Sequence, residues 1–304
     1  IEDPNWDFGV SQYNQPVNPN AAPSTPVEYA PSYPTNYTAT GAQAPVDINT
    51  QIAQNYQNLF GRAADTVSMA RFLSQDLVIE TKPDSTPVTD ADKACETALR
   101  DFLTKNLPKD GIVGEEFGAS NKNKDRYWVI DPIDGTKNFL RGVPTWATLI
   151  ALMDTQGEAV VGVVSAPALN RTWYATKGGG AYVSFNGETK RISVSKVSNL
   201  RDASVSYSDL QGWGARRDKF ISLQDRIWRT RGMGDFWSHM LVAEGAVDIS
   251  VEPVLNLWDM AALDVIVREA GGTFTNIEGK SGPHGASAIS SNSLLHQEFI
   301  QALN

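Results

Sequence analysis

The chain has 304 residues, enough to bury a substantial hydrophobic core as one large domain or as two closely packed halves. Its composition, 41% hydrophobic and 20% charged, is typical of a soluble globular protein. The formal net charge of -9 argues against nucleic acid as a general partner, because phosphate backbones attract basic surfaces.

Cysteine content and the absence of long apolar runs favour a protein of the cytoplasm. Cys95 is the only cysteine, so no intramolecular disulfide can form, which is typical of a reducing compartment. No run approaches the roughly 18 apolar residues that a membrane span requires. Residues 1–5 have neither the basic nor the apolar region of a signal peptide. We therefore expect a cytoplasmic protein without membrane contact.

Residues 1–48 differ in composition from the rest of the chain. They are rich in Pro, Asn, Tyr, Ala and Thr and have no apolar period, so they cannot bury enough apolar surface to offset their ordering entropy. This predicts a disordered extension; alternatively, Trp6 and the tyrosines pack onto the folded body or a neighbouring subunit. Residues 49–304 are predicted to form the folded domain, with halves at roughly 49–190 and 191–304.

The predicted elements follow in chain order. Apolar residues at helical spacing predict one long amphipathic helix over 48–75, and Thr89 is a typical cap for a second helix that ends near Asn106. Clusters of β-branched and aromatic residues predict strands of one sheet at 112–113, 128–130, 147–153, 160–165, 172–183 (with a glycine turn at 178–180) and 204–207. Helices at 219–228, 236–244, 259–270 and 293–303 and a strand at 248–251 are predicted beyond them. This order indicates a layered α/β (α+β) sandwich, with a mainly antiparallel sheet first and a smaller sheet with helices second.

The run from Asp131 to Thr136, Asp-Pro-Ile-Asp-Gly-Thr, follows the apolar strand at 128–130. Pro132 cannot donate a ladder hydrogen bond and is expected to mark the end of that strand. Two carboxylates three residues apart, with a backbone carbonyl between them, can converge on a hard cation such as Mg²⁺. A glycine and the amides at a helix start favour phosphate. Taken alone, the run is also compatible with a capped turn that carries two solvated aspartates.

Further acidic motifs lie where other elements begin or end. They are Gly114-Glu115-Glu116, Thr89-Asp90-Ala-Asp92 and Trp258-Asp259. Together with the Asp131–Thr136 run, and with Trp258-Asp259-Met-Ala-Ala262 ahead of Gly271-Gly272, they resemble the inositol-monophosphatase superfamily of metal-dependent, lithium-sensitive phosphatases. The resemblance covers residues 50–303 and implies a layered αβαβα sandwich. It also implies two or three Mg²⁺ ions per active site, with Mn²⁺ as an alternative, and a homodimer.

The same resemblance implies a role for each matching residue. The implied metal ligands are Glu115, Asp131, the carbonyl of Ile133, Asp134 and Asp259, with Asp92 binding a third metal or positioning water. Thr136 matches the threonine that acts with Glu115 to activate the attacking water, so no side-chain nucleophile is needed. The amides of Gly135 and Thr136 would hold the phosphate. Lys82 matches a lysine on a flexible loop near the metal site.

The phosphate ester is suggested by finer similarities. Residues 80–92, 136–148 and 234–237 most resemble the bacterial branch of the superfamily that hydrolyses histidinol phosphate, a step of histidine biosynthesis. This similarity predicts that the chain is a histidinol-phosphate phosphomonoesterase. The alternatives are an inositol-1-phosphate or broad sugar-phosphate phosphatase and, in another class, a catalytically silent scaffold or metabolite-binding homologue.

One substitution supports the cationic substrate on chemical grounds. After Arg231, which is assigned to the substrate pocket, inositol-phosphate enzymes carry a small Gly-Thr/Ser-Ala step, whereas this chain has Gly234-Asp235-Phe236-Trp237. An anionic and aromatic wall suits the ammonium and imidazole groups of histidinol phosphate. Glu252 matches a glutamate that contacts the non-phosphate end of the substrate.

Three structural alternatives stay open at this point. Asp235 could be a plain helix N-cap, and Trp237 could pack in the core instead of contacting substrate. His239 is more typical of a hydrogen-bonded, partly buried histidine than of a ligand. The apolar stretch at 143–146 is a candidate for the dimer interface.

Overall fold

Helices and strands of the computed structural model are described for residues 62–83, 86–120 and 126–304. They form two β-sheets, a short hairpin and the helices that cover them. The predicted layered α/β fold, with a mainly antiparallel sheet first and a smaller sheet second, is confirmed. The predictions for residues 1–48, and for the first part of the helix at 48–75, lie outside the described residues. The division into two halves stays a prediction.

The larger sheet has eight strands, which are β3 (Gly111–Gly114), β4 (Gly118–Ser120), β5 (Tyr127–Asp134), β6 (Ala147–Met153), β7 (Ala159–Ala166), β8 (Arg171–Thr176), β9 (Gly180–Phe185) and β10 (Glu188–Arg191). Their order in the sheet is β10-β9-β8-β7-β6-β5-β3-β4. All neighbours are antiparallel except the parallel pair β3 and β5. The parallel pair brings the carboxyl ends of β3 and β5 to the same edge, so the residues that follow them meet there.

Strand β5 does not end where the sequence suggested. It continues through Pro132 to Asp134, and its register against β6 shifts between Asp131 and Asp134. Pro132 therefore occupies an irregularity inside the strand, where a residue without an N–H donor is tolerated. The carbonyl of Pro132 instead accepts a hydrogen bond from the hydroxyl of Thr148 at 2.8 Å. This irregularity turns both aspartates toward one side of the sheet edge.

The smaller sheet has five strands in the order β12-β11-β13-β15-β14. They are β11 (Ser204–Tyr207), β12 (Arg229–Gly232), β13 (Ile249–Glu252), β14 (Thr273–Thr275) and β15 (Ala288–Ser291). The prediction that the strand at 204–207 extends the first sheet is wrong, because β11 pairs in parallel with β12 and β13. Val205 is buried in a second core with Phe220 and Phe299. The short hairpin consists of β1 (Ile79–Thr81) and β2 (Pro87–Thr89).

Seven α-helices are described in these ranges. They are α1 (Arg62–Arg71), α2 (Asp90–Asn106), α3 (Thr136–Leu140), α4 (Arg217–Leu223), α5 (Asp235–Ala243), α6 (Leu257–Glu269) and α7 (His296–Leu303). Helix α1 ends before the predicted residue 75, since Leu73 adopts a left-handed backbone with φ of 65° that a helix cannot continue. Helix α4 ends at Leu223, and not at Trp228, whose side chain is exposed. Within the described ranges, none of the helices combines the length and apolarity needed to cross a membrane.

Helices α2 and α6 connect the core to the edge of the large sheet where β3 and β5 end. Thr89 and Asp92 form a capping box at the start of α2, whose buried face packs on Trp128 and Ile130. Helix α6 is buried along most of its length and belongs to the main core cluster with strands of the large sheet. Each fully buried aliphatic side chain there contributes roughly 1.5–3 kcal/mol, so the N-termini of both helices are firmly held. Those N-termini carry Asp92 and Asp259.

Candidate active site

A cavity of about 900 Å³ opens at the edge of the large sheet where β3 and β5 end. Its walls come from the β5–α3 turn, the start of α5, the end of β13 and the start of α6. The charged residues that line it are Lys82, Glu115, Asp131, Asp134, Lys137, Asp209, Asp235, Glu252 and Asp259. Seven carboxylates thus face two lysines, which is the electrostatic surrounding of a cation site rather than of a bare anion site.

Three aspartates in this cavity form a group that can hold a metal ion. One carboxylate oxygen from each of Asp131, Asp134 and Asp259 lies within 4.8 Å of the others. Asp131 Oδ1 accepts a hydrogen bond from the amide of Ile133 at 3.1 Å, and Asp134 Oδ2 accepts one from the amide of Phe236 at 2.7 Å. Asp259 is the third residue of α6, and the amide of Asn256 donates to its Oδ2 at 2.6 Å. Each carboxylate therefore has one oxygen fixed by the backbone.

The electrostatics of the group fit a divalent cation. Burial raises the pKa of Asp131 well above its usual range, and the charges of Glu115 and Asp134 raise it further. Burial, with Asp235 and Asp259 nearby, does the same to the pKa of Asp134. Burial also raises the pKa of Asp259 to about 7. Hard oxygen donors whose negative charges oppose one another are the donor set that Mg²⁺ neutralises, so these residues suit that ion.

Glu115 lies beside the three aspartates but forms an ion pair with Lys82. The Lys82 ammonium lies 2.7 Å from Glu115 Oε1 and 2.7 Å from Glu116 Oε1. The carboxyl group of Glu115 also contacts that of Asp131. Burial alone would lower the pKa of Lys82, but the hydrogen bonds to the two glutamates outweigh it and raise that pKa. The predicted loop lysine is thus in contact with a predicted metal ligand.

Sequence reasoning missed Glu96, which organises the segment that carries Glu115. Glu96 is fully buried on α2, and its carboxylate accepts hydrogen bonds from the amides of Glu116 at 2.7 Å and Phe117 at 3.3 Å. Arg100 Nε donates to it at 2.6 Å. A Cβ atom on Gly114 would overlap this carboxylate, which explains why glycine precedes Glu115. The signal was in the sequence, as an acidic residue on the inner face of α2.

The turn after β5 presents backbone amides and the Thr136 hydroxyl. Gly135 has a left-handed backbone with φ of 82° and begins α3, whose first amides have no acceptor within the helix. Thr136 Oγ1 is 3.1 Å from the Ile133 carbonyl and 3.3 Å from Asp92 Oδ1. The other oxygen of Asp92 accepts the amide of Thr89 at 2.8 Å. Asp92 therefore reaches the cavity through Thr136 and does not itself join the group of three aspartates.

Asp235 belongs to the cavity wall and is not a helix cap. Gly234 occupies the N-cap position of α5, and Asp235 follows it with an unusual positive φ of 49°. Its amide donates to Ser208 Oγ at 2.9 Å, and its Oδ2 accepts from Asn138 Nδ2 at 3.0 Å. Burial, with the charge of Glu252 nearby, raises the pKa of Asp235 to about 7. Asn138 and Ser208 were not predicted, although Asn138 lies only two residues after the motif.

The predicted aromatic wall is built differently. The ring of Phe236 is 1% exposed and packs against Trp173 with a centroid distance of 5.9 Å. Trp237 packs on the core and does not line the cavity, whereas Trp258 does. The packing alternative for Trp237 is therefore the one observed. Apolar residues next to a functional motif cannot be assigned to wall or core from their type alone.

The remaining predicted residues divide between the cavity and the surface. Glu252 lines the cavity at the end of β13, and His239 Nε2 is 3.2 Å from its Oε1. His239 is fully buried and hydrogen-bonded at both nitrogens, as expected for a satisfied histidine. Arg231 is exposed, donates to the neighbouring carbonyl of Thr230 at 2.7 Å and is absent from the cavity lining. Trp146, part of the predicted dimer interface, is buried in the chain's own core.

Clustered carboxylates that suit Mg²⁺, next to free backbone amides, are the features of a site that hydrolyses phosphate esters with the help of a metal ion. Comparison with known proteins identifies the family. The family model described as "Inositol monophosphatase family" matches residues 48–304. The chain belongs to the inositol monophosphatase family, a family of metal-dependent phosphatases, and it is itself a phosphatase.

Relatives and a solved structure agree with this membership. A protein of Mycobacterium tuberculosis named histidinol-phosphatase is 54% identical over 244 residues, which cover 79% of this chain and 94% of the relative. A protein of Streptomyces coelicolor with the same name is 53% identical over 248 residues, covering 80% and 93%. The solved structure of the Thermotoga maritima IMPase matches with a TM-score of 0.74 and 33% identity, covering 83% of this chain and 96% of that one.

Proposed function

We propose that this phosphatase hydrolyses histidinol phosphate to histidinol and inorganic phosphate, with Mg²⁺ as its cofactor. The observation that carries the proposal is an identity above 50%, across most of the chain, to two relatives named histidinol-phosphatase. The chemistry of the cavity supports it independently. Asp235 and Glu252 add negative charge to the wall beyond the metal-binding group, where the non-phosphate end of a substrate would lie. Such a wall stabilises an ammonium or imidazolium group more than a neutral polyol, which can donate hydrogen bonds to the carboxylates but has no positive charge.

The residues proposed to hold the metal are the oxygen donors at the sheet edge. Asp131, Asp134 and Asp259 form the centre of the set, and Glu115 and the carbonyl of Ile133 complete it. Two or three Mg²⁺ ions per site are proposed, with Mn²⁺ as an alternative. Bound Mg²⁺ supplies charge neutralisation for the phosphoryl group and the leaving oxygen, and it lowers the pKa of water.

The chain's own residues then orient the reactants and move the proton. The first amides of α3 and the open backbone at Gly135 place donors toward the phosphoryl oxygens. Thr136 Oγ1 is proposed to accept the proton of the attacking water as its own proton moves toward Asp92 Oδ1, 3.3 Å away. Burial raises the pKa of Asp92, which favours that transfer. Glu115, held by Lys82, is proposed to orient the same water from the opposite side.

Replacement of Asp235 tests the substrate assignment. Asp235→Asn keeps an acceptor for Asn138 and removes the charge. The KM for histidinol phosphate should rise roughly tenfold, while turnover of inositol 1-phosphate should stay close to that of the wild type. Asp209→Asn is the matched control, because Asp209 also lines the cavity and its Oδ1 accepts the amide of Gln211 at 3.0 Å. An equal loss on both substrates would leave an inositol or sugar phosphatase as the better assignment.

We also propose a homodimer and a cytoplasmic location. Val143 is 40% exposed next to the active-site turn, and with the exposed Pro144 it is the part of the predicted interface that is available to a partner. Light scattering coupled to size-exclusion chromatography measures the assembly state. A monomer at micromolar concentration, with Val143→Asp behaving identically, would contradict the proposed interface.

A further inference from the structure

His239 connects the core of the smaller sheet to the wall of the cavity. It lies on α5, is 0% exposed and is hydrogen-bonded through both ring nitrogens. Nδ1 is 2.6 Å from Ser290 Oγ on β15, and Nε2 is 3.2 Å from Glu252 Oε1 at the end of β13. The ring also packs near Phe274, with a centroid distance of 5.9 Å. Three elements therefore fix its orientation.

The partners of His239 determine where its proton lies. An ionised carboxylate can only accept hydrogen bonds, so Nε2 must carry the proton that is shared with Glu252. In a neutral imidazole Nδ1 then accepts, and the Ser290 hydroxyl is its donor. Both ring nitrogens of His239 and the hydroxyl proton of Ser290 are then matched. The arrangement is not a nucleophilic triad, because Ser290 is fully buried and remote from the cavity lining.

This contact leaves the charge of Glu252 available to a ligand. Among the described residues, His239 makes the one side-chain hydrogen bond to Glu252, and it uses a single carboxylate oxygen. Glu252 lines the cavity, so its remaining acceptor capacity is on the side open to a substrate. A neutral donor orients a carboxylate without cancelling its charge. Glu115 is the contrasting case, since its partner is the cation Lys82.

We propose that His239 is a positioning residue for substrate specificity, which holds Glu252 in the orientation that accepts a hydrogen bond from the cationic end of the substrate. The inference rests on the proposed function, because it requires a cationic phosphate ester. His239 borders the cavity, but it is 0% exposed and both of its ring nitrogens are already hydrogen-bonded, so we assign it to act through Glu252 and not on the reacting atoms. Its effect is therefore expected in the binding of cationic esters and not in the hydrolysis of the phosphate bond.

Two variants of His239 separate positioning from packing. His239→Leu removes the donor, while His239→Gln offers one donor and one acceptor to the same partners. For His239→Leu we expect the KM for histidinol phosphate to rise roughly tenfold with little change in kcat, because a hydrogen bond to a charged group is lost. Kinetics with inositol 1-phosphate should stay unchanged. His239→Gln should recover most of the lost affinity.

A second buried histidine provides the matched control. His296 is likewise hydrogen-bonded at both ring nitrogens, to Thr275 Oγ1 at 3.0 Å and Ser291 Oγ at 2.7 Å, but it contacts no carboxylate of the described residues and does not line the cavity. His296→Leu should leave the ratio of the two substrates unchanged. Should His239→Leu fail to fold, as judged by circular dichroism, Ser290→Ala serves in its place and should raise the KM for histidinol phosphate a few-fold.

The outcomes distinguish this inference from the function on which it rests. A wild-type enzyme that prefers histidinol phosphate, together with a His239→Leu variant of unchanged preference, would overturn the role of His239 alone. Equal losses on both substrates, or a His239→Gln variant as impaired as His239→Leu, would overturn it as well. A wild-type enzyme with no preference would overturn the proposed substrate and the inference together.

Discussion

The contact between Gly114 and Glu96 gives the sharpest structural prediction. A Cβ atom at Gly114 would overlap the Glu96 carboxylate, and even the more distant oxygen, Oε2, would lie at 2.8 Å. The neighbour cannot move freely, because Glu96 is 0% exposed and holds Arg100 and two backbone amides. Gly114→Ala should therefore displace either Glu96 or the segment that carries Glu115. Both stability and phosphatase activity should fall.

The magnitude follows from the groups that would lose their partners. Removing a buried carboxylate from its ion pair costs about 3–5 kcal/mol, so Gly114→Ala should lower the free energy of unfolding by about that amount. Gly118→Ala is the control on the same segment. Gly118 has φ of +66° and no heavy atom within 4 Å of an added Cβ, so that variant should lose only about 1 kcal/mol from backbone strain.

A double-mutant cycle in urea unfolding tests the reasoning. Glu96→Ala removes the obstructing carboxylate, so adding Gly114→Ala in that background should cost less than about 1 kcal/mol. Phosphate release, measured in parallel, should already be low in Glu96→Ala. If Gly114→Ala cost the same in both backgrounds, steric exclusion by Glu96 would not be the reason for glycine at this position.

Three further predictions concern the protonation of Asp65, the side-chain amide of Asn138 and the binding of Mg²⁺. Burial raises the pKa of Asp65 from 3.8 to about 7, against a hydrogen bond from Ser165 that lowers it. The folded state binds this proton more tightly than the unfolded chain does. The free energy of unfolding is therefore highest at low pH and falls as the pH rises toward 7, by about 4 kcal/mol in all. In urea unfolding at about pH 5 and pH 8, Asp65→Asn should not show this loss of stability. A pH dependence parallel to that of the wild type would contradict the prediction. Asn138→Ala should lower stability by about 1–3 kcal/mol in the same assay and raise the KM for histidinol phosphate, because Asp235 loses its donor. Mg²⁺ should raise the midpoint of thermal unfolding of the wild type, and it should raise that of Asp259→Asn much less. Equal shifts in the two proteins would mean that the ion binds elsewhere.

Local signals in the sequence were sufficient for much of the fold. The strand predicted at 147–153 is β6 (Ala147–Met153), since it is a short run in the centre of a sheet in which Thr148 is the only polar residue. Thr89 caps α2 as its hydroxyl chemistry predicts. The gathering of Asp131, Asp134 and Asp259 came from motif resemblance and not from spacing, because the last two lie 125 positions apart in the sequence.

The errors of topology and packing share one physical cause, which is that long-range pairing leaves little local trace. Strand β11 has the composition of a buried strand, and nothing in it specifies which sheet it joins. Phe236 and Trp237 follow Asp235 of the cavity wall, yet their rings pack on the core. The roles of Glu96 and His239 depend on which buried polar groups face each other. That information exists only once the tertiary structure is formed.

Steady-state release of inorganic phosphate from histidinol phosphate and from inositol 1-phosphate, with Mg²⁺ and after its removal by EDTA, tests the proposed function most directly. We expect turnover that disappears with EDTA and returns with Mg²⁺. We also expect a kcat/KM for histidinol phosphate at least tenfold higher than that for inositol 1-phosphate, because the anionic wall would add roughly 1.4 kcal/mol of transition-state stabilisation. Equal kcat/KM values for the two esters would contradict the substrate assignment, and undiminished turnover in EDTA would contradict the metal-dependent site.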